Sequence, residues 1–222
     1  MGTITRNAAN NFTTGGVILP AAINDTSVAS ISELENVAAG GAMTLISEQT
    51  ASGSASIEFT SGIDSTYPIY RFEFINIHPA TNLVQFRLNF TTDGTNFNVT
   101  KTTTMFYAYH AEDGSSTGFN YSSPRDLAQS TSDHNIVGAG SDLGNANDDS
   151  CSGEVFLFNP SSTTFVKHFM TKANSSSGEG LPFTNYTAGY GNTTSAITGV
   201  KFVMSSGNID AGTIKLYGIS GS

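Results

Sequence analysis

The sequence predicts an all-β protein, a jelly-roll-like antiparallel β-sandwich carrying an extended N-terminal arm. Three observations predict it. Val84, Phe86, Leu88 and Phe90 alternate strictly with Gln85, Arg87, Asn89 and Thr91, and a period of two places the first set on a core-facing sheet surface and the second in solvent. About nine or ten short apolar segments recur every ten residues or so, separated by Gly, Pro, Asn and Asp turns, which is the spacing of a sandwich or jelly roll. Finally, 15 Phe and 8 Tyr supply one real core, while charged residues make up only 12%.

Residues 1–42 read as an arm. They are rich in Asn, Ala, Thr and Gly, and Phe12 is their one aromatic residue. A helical turn is expected from Ser30, with Ser32, Glu33 and Glu35 suiting its start and Gly40-Gly41 ending it. Too few apolar residues are present for independent folding. Phe12, Val17, Ile18, Leu19 and Ile23 are the candidate anchoring residues, able to fill grooves on a larger surface.

Residues 43–222 read as the head. Met43–Glu48 and Ala55–Thr60 are the first strands, the second broken by Ser61-Gly62 and Asp64-Ser65. Pro68–His78 is a strand, Pro79–Asn82 a corner and Leu83–Thr92 a long strand. Asp93-Gly94 predicts a two-residue hairpin return, in which both turn residues take positive φ. In Thr102–Ala111, Met105, Tyr107 and Tyr109 alternate with Phe106 and Ala108. Apolar groups on both faces, there and at Ile69–Ile77, predict a strand covered on two sides or a subunit interface. Long loops are expected from Glu112 to Ser150, with a short strand near Ile136-Val137. Strands resume at Gly153–Phe158, turn at Asn159-Pro160, return at Phe165–Met170, and continue at Phe183–Tyr190, Ala196–Met204 and Thr213–Ile219. Ile57–Asp64 echoes Phe202–Asp210, two strands ending in the same Ser-Gly turn.

The net charge of −9, without clustered Lys or Arg, argues against nucleic-acid or anionic-membrane partners. No apolar run is long enough to span a bilayer as a helix, and no signal peptide is visible. Cys151 is the single cysteine, so an internal disulfide is excluded and an inert, partly buried thiol is expected.

Motifs that could carry chemistry are sparse. Gly114-Ser-Ser-Thr-Gly118 matches Gly-x-Ser-x-Gly, yet lacks the strand before and the helix after that expose a nucleophilic serine. Gly138–Gly144 misses the dinucleotide-binding spacing by one residue. His78, His110, His134 and His168 show no metal-ligand spacing and are expected in solvent or turns. Asp142, Asn145, Asn147, Asp148 and Asp149 form the densest acidic stretch, a loop 142–149 that could take calcium although the EF-hand order is absent. Asn89, Asn98, Asn185 and Asn192 begin Asn-x-Ser/Thr triplets, read as composition rather than glycan acceptors. No catalytic residue, metal ligand or cofactor is expected.

Ser206–Ile219, with its Gly-Asn-Ile-Asp-Ala-Gly-Thr-Ile-Lys-Leu-Tyr-Gly core, resembles the C-terminal strand pair of virion structural proteins from tailed bacteriophages, marine ones especially. Tyr70–Pro79 and Val155–Ser161 resemble the same group. The resemblance covers residues 43–219 and rests on strand and turn pieces. It implies a jelly-roll head on a virion-surface protein: a capsid decoration, cement or head-fibre protein, or a tail-fibre tip. It also implies a homotrimer whose partners are the major capsid protein or a tail protein. The alternative is a receptor-binding carbohydrate module that contacts a host-surface glycan, with Tyr107, Tyr109, Phe119 and Tyr121 as stacking faces beside Asn and Asp acceptors. The absence of Trp counts against that alternative.

Overall fold

A computed structural model describes residues 43–220. Among them are twelve strands: β1 Met43–Thr50, β2 Ile57–Phe59, β3 Ile69–Pro79, β4 Phe86–Thr91, β5 Lys101–His110, β6 Thr117–Tyr121, β7 His134–Asn135, β8 Cys151–Phe158, β9 Lys167–Ser177, β10 Leu181–Gly191, β11 Gly199–Met204 and β12 Ile209–Ile219. All pairings are antiparallel. One sheet runs β1-β12-β3-β8-β9-β10-β5-β6 and the other β2-β11-β4-β7. The arm, with Phe12, Val17, Ile18, Leu19 and Ile23, lies outside the described residues.

The strand order identifies the architecture. Setting aside β5, β6, β9 and β10 leaves eight strands, ordered β1-β12-β3-β8 against β2-β11-β4-β7. Counted from one to eight along the chain, these are 1-8-3-6 and 2-7-4-5, the interleaved order of a jelly roll. The other four strands are two hairpins inserted into that frame. The β5–β6 hairpin enters between β4 and β7, and the β9–β10 hairpin enters between β8 and β11. Together they extend one sheet beyond β8 as a four-stranded wing.

The core follows from strand parity. Phe72 and Phe74 of β3 face Phe59 of β2, Phe86 of β4 and Phe202 of β11. Ring centroids lie 5.4 Å apart for Phe59–Phe72, Phe72–Phe202 and Phe74–Phe86, and 5.7 Å for the stacked pair Phe86–Phe202. All five rings are buried. Edge-on and offset rings at these separations add to the gain from area burial alone. Tyr70 closes one end, its hydroxyl donating to the backbone carbonyl of Asp64 (3.1 Å) and accepting from the Asp64 N–H (3.0 Å).

Several expectations are corrected. Asp93-Gly94 is not a hairpin return, because β4 and the following β5 lie in different sheets. Gly94 has φ +77° but Asp93 does not take positive φ, so a type I′ turn is absent. The Asp93 carboxylate instead accepts from the N–H groups of Thr95 (2.8 Å) and Asn96 (2.7 Å) and from the Asn96 side-chain amide (2.7 Å). These bonds, the Asn96 side chain foremost, hold its carboxyl well below the usual range. Nor do Gln85, Asn89 and Thr91 reach solvent; all three are buried. The connection from β6 to β7 lies against Asn89, which donates to the Thr131 carbonyl (3.0 Å), the connection from β7 to β8 lies against Gln85, which donates to Asp142 (2.6 Å), and β7 pairs with β4 at Arg87 and Leu88.

The outer side of β3 is an ion-paired surface rather than a second apolar one, with Arg71 bonded to Glu154 (2.9 Å) and 3.4 Å from Glu73. β9 runs on through the expected Ser175–Gly180 loop as far as Ser177, and β6 occupies part of the stretch expected to be loop. Cys151 is wholly buried, and burial pushes its thiol up. The echo between Ile57–Asp64 and Phe202–Asp210 has a spatial counterpart. Ile57 pairs with Phe202, and Gly62 and Gly207 both take positive φ after their strands.

Candidate functional site

The wing carries the surface chemistry. Strand parity and register place Tyr121 of β6, Phe106 of β5 and Tyr186 of β10 in one cross-strand row on the side facing away from the core. Phe106 and Tyr186 stack with centroids 5.2 Å apart and 10° between planes, and Phe119 packs on Phe106 at 5.5 Å. Phe119 is 71% exposed and Tyr121 58%. Met170 of β9, 54% exposed, lines an apolar groove of about 390 Å³ with Ile69, Phe156, Phe158 and Tyr186. Large apolar side chains left open in one continuous patch mark contact surfaces.

Along the same row the chemistry changes at β9. Lys172 lies opposite Tyr186 with Nζ 5.9 Å from the ring centroid. Beyond it come Glu154 of β8, Glu73 of β3 and Lys215 of β12. Along this row the frame's positions are therefore charged and the wing's, apart from Lys172, aromatic, while Ile69, Phe156 and Phe158 of the frame line the apolar groove beside it. A groove of about 340 Å³ beside β8 is lined by Arg71, Glu73, Glu154, Lys172 and Asn174. An added Cβ at Gly153 would sit 2.2 Å from the Lys172 carbonyl oxygen, so no other residue fits there.

The four aromatic residues singled out from sequence divide between two faces. Phe119 and Tyr121 are on the outer row. Tyr107 and Tyr109 point to the opposite side, packed on Phe183 at 5.6 and 5.5 Å. They line a cleft of about 430 Å³ with Ser116, Asn120, Ser141 and Glu179. The cleft wall opposite β5, Gly140 and Ser141, belongs to the β7–β8 connection, which is tied to the β6–β7 connection by Ser122 Oγ donating to the Ala139 carbonyl (2.9 Å) and by the Arg125–Asp142 ion pair (3.0 Å). Ser141 donates to Glu179 across its rim (2.8 Å). The expected single stacking site is thus two surfaces back to back on one hairpin. Phe106, read from sequence as an apolar group on the second face of its strand, belongs to the outer one, together with Tyr186, Met170 and Lys172, which were not singled out. Phe106 is signalled by its place between Met105 and Tyr107, whereas Tyr186 acquires its role only through register.

The other sequence candidates are placed as follows. Ser116 of Gly114-Ser-Ser-Thr-Gly118 sits in the turn between β5 and β6. The acidic loop 142–149 does not gather its carboxylates. Asp142 is bound by Gln85 (2.6 Å) and Arg125, and Asp149 accepts from the Ala146 N–H (3.3 Å). Among the described residues no group of three or more His, Cys, Asp or Glu is arranged to hold a metal. His134 overturns the expectation of solvent histidines. It is wholly buried beside Phe169 at 5.6 Å, neither ring nitrogen has a partner, and burial, reinforced by the nearby Lys101, pushes it down to about 3. Asn89 and Asn185 are likewise buried.

Comparison with known proteins finds no matching family model, no matching curated protein and no matching solved structure.

Proposed function

We propose that the chain is a non-enzymatic structural protein of a bacteriophage particle, displayed on the virion surface as a capsid decoration, cement or head-fibre protein. The observation that carries this reading is the open aromatic row Tyr121–Phe106–Tyr186 with Phe119 and Met170. An apolar surface of this kind favours association, and closed symmetric assembly is the usual way to cover it. On this reading the wing packs against wings of sister subunits in a trimer, the number three following from the phage resemblance. The arm 1–42, with Phe12, Val17, Ile18, Leu19 and Ile23, attaches the assembly to the major capsid protein or a tail protein.

The test is localisation and mass. Antibody raised against the chain should decorate the surface of intact particles, and light scattering should give a trimer for the purified protein. Phe106→Ser combined with Phe119→Ser should give a folded monomer. A monomeric parent protein, or particles that antibody does not decorate, overturns the proposal.

A second reading has its own observation. The cleft of Tyr107 and Tyr109 sets aromatic faces beside Asn120, Ser116, Ser141 and Glu179, the mixture of stacking surface and hydrogen-bonding groups that suits a sugar ring. A glycan array with Tyr109→Ala as control tests it; equal signal from both proteins removes it.

A further inference from the structure

A buried lysine sits at the point where the chain leaves the jelly-roll frame for the wing. Lys101, the first residue of β5, is fully buried, and so is Asn89 in β4, its residue 1% exposed. The Lys101 Nζ lies 2.5 Å from Asn89 Oδ1 and 2.6 Å from the Val99 carbonyl oxygen. A C=O bond is about 1.23 Å long, so Asn89 Cγ lies at most about 3.7 Å from Nζ, at the edge of near-attack distance.

The rest of the constellation suits acyl transfer to that nitrogen. Asn89 Oδ1 also accepts from the Phe90 N–H (2.9 Å), a second donor polarising the carbonyl. Asn89 Nδ2 donates to Asp133 Oδ1 (2.8 Å) and to the Thr131 carbonyl (3.0 Å). Asp133 is itself 3.4 Å from Lys201 Nζ. A carboxylate thus touches the nitrogen that would leave. Burial, which outweighs the attraction of Asp133, pushes Lys101 down to about 8, bringing the neutral amine within reach near physiological pH. The neighbouring His134, buried and uncharged, leaves the pocket without a competing cation on that side. Lys167, the other fully buried lysine, makes the contrast. Its Nζ meets only the backbone carbonyls of Phe165 (2.7 Å) and Thr193 (3.3 Å), with no side-chain carboxamide to attack.

We infer that Lys101 and Asn89 form an intramolecular isopeptide bond, with Asp133 as the proton carrier, that fastens the wing to the frame. Nζ attacks Asn89 Cγ as the neutral amine, and the carbonyl π pair moves to Oδ1. The tetrahedral centre collapses by re-forming C=O and breaking Cγ–Nδ2. The proton then shed by Nζ passes to the departing nitrogen by way of Asp133, which touches it, and that nitrogen leaves as ammonia. The side-chain amine and carboxamide become a secondary amide plus ammonia. No oxidant, reductant or cofactor enters the balance. Water, which would hydrolyse rather than cross-link, is excluded by the burial of both reacting groups.

The test is the mass of the full-length purified protein. The parent chain should be lighter than its sequence by one ammonia. Trypsin should fail to cut after Lys101 and release Leu88–Arg125 as one peptide carrying that deficit, with fragmentation placing it between Asn89 and Lys101. Asn89→Asp should lose water in place of ammonia, while Lys101→Met and Asp133→Ala should have their full sequence masses. If the parent chain keeps its sequence mass after days of incubation near neutral pH and is cut normally at Lys101, the bond does not form and the inference fails. A deficit that persists in Lys101→Met, or maps away from Asn89, overturns it equally.

Discussion

The jelly-roll frame and the wing inserted into it share one sheet but are held together differently. Across the inner face, Leu216, Phe72 and Val155 of the frame continue in register into Thr171, Thr187 and Met105 of the wing. The frame half meets a second sheet and is filled by aromatic rings. The wing half meets the irregular connections on either side of β7, and its interior joins the rings of Phe169 and Phe183 with hydrogen-bonded polar side chains. Thr171 and Thr187 share a 2.5 Å hydroxyl bond, and the Asn185 amide donates to Ser175 (3.3 Å). Outside, along the row from Lys215 to Tyr121, charge lies on the frame and aromatics on the wing. The wing presents Phe106, Phe119, Tyr121 and Tyr186 outward, so the wing is where function is best sought.

The largest effect that would break this comparison is in the frame. Phe72→Ala removes the ring shared by Phe59 and Phe202 and should cost about 3–5 kcal/mol in denaturant unfolding. A cost near that of a surface substitution would mean that the frame does not supply the stability. The next concerns the join. His134 titrates near 3 in the folded chain against about 6.5 unfolded. Between those values the unfolded state binds the extra proton, so stability is present above about pH 6.5 and is lost as pH falls toward 3, by an amount on the order of a few kcal/mol. His134→Phe should flatten that acid limb in a pH series of melting temperatures.

A smaller effect is expected in the crossover loop. Gly94 has φ +77°, and a Cβ added there would meet nothing within 4 Å, so Gly94→Val is strained by backbone conformation alone. About 1–2 kcal/mol is expected, read as a lowered melting temperature with the fold intact. The smallest effect on stability belongs to the outer row. Phe106→Ser with Phe119→Ser should shift unfolding by no more than about 1 kcal/mol while abolishing association in light scattering. A large loss of stability there would make the row part of the core rather than a contact surface.

The frame was legible where alternation was strong. β4 and β11 stand in the sequence as period-two runs because each has one face on core rings and the other on polar neighbours. What was not legible was partnership. The hairpin signal at Asp93-Gly94 is real turn chemistry, but the same Asx-type bonding serves a crossover between sheets as well as a return. The tyrosines and phenylalanines of the wing read as one cluster because they are close in sequence. The register of the β5–β6 hairpin pairs Tyr121 with Phe106, not Tyr107, and a shift of one residue decides which face a ring occupies. The burial of Lys101, Asn89 and His134 came from the β6–β7 connection lying over them, a tertiary event with no local signature.

The strand order β8-β9-β10-β5-β6 imposes a one-way dependency. The β9–β10 hairpin pairs directly with the frame through β8. The β5–β6 hairpin pairs with the rest of the sheet only through β10. The first can therefore exist without the second, but the second has no ladder to join without the first. If the wing was acquired stepwise, the insertion between β8 and β11 is the older, and shorter relatives should keep it while lacking the β5–β6 hairpin. Lys101 belongs to the later addition and Asn89 to the original frame, so the covalent tie proposed between them could have arisen only once the newcomer was in place.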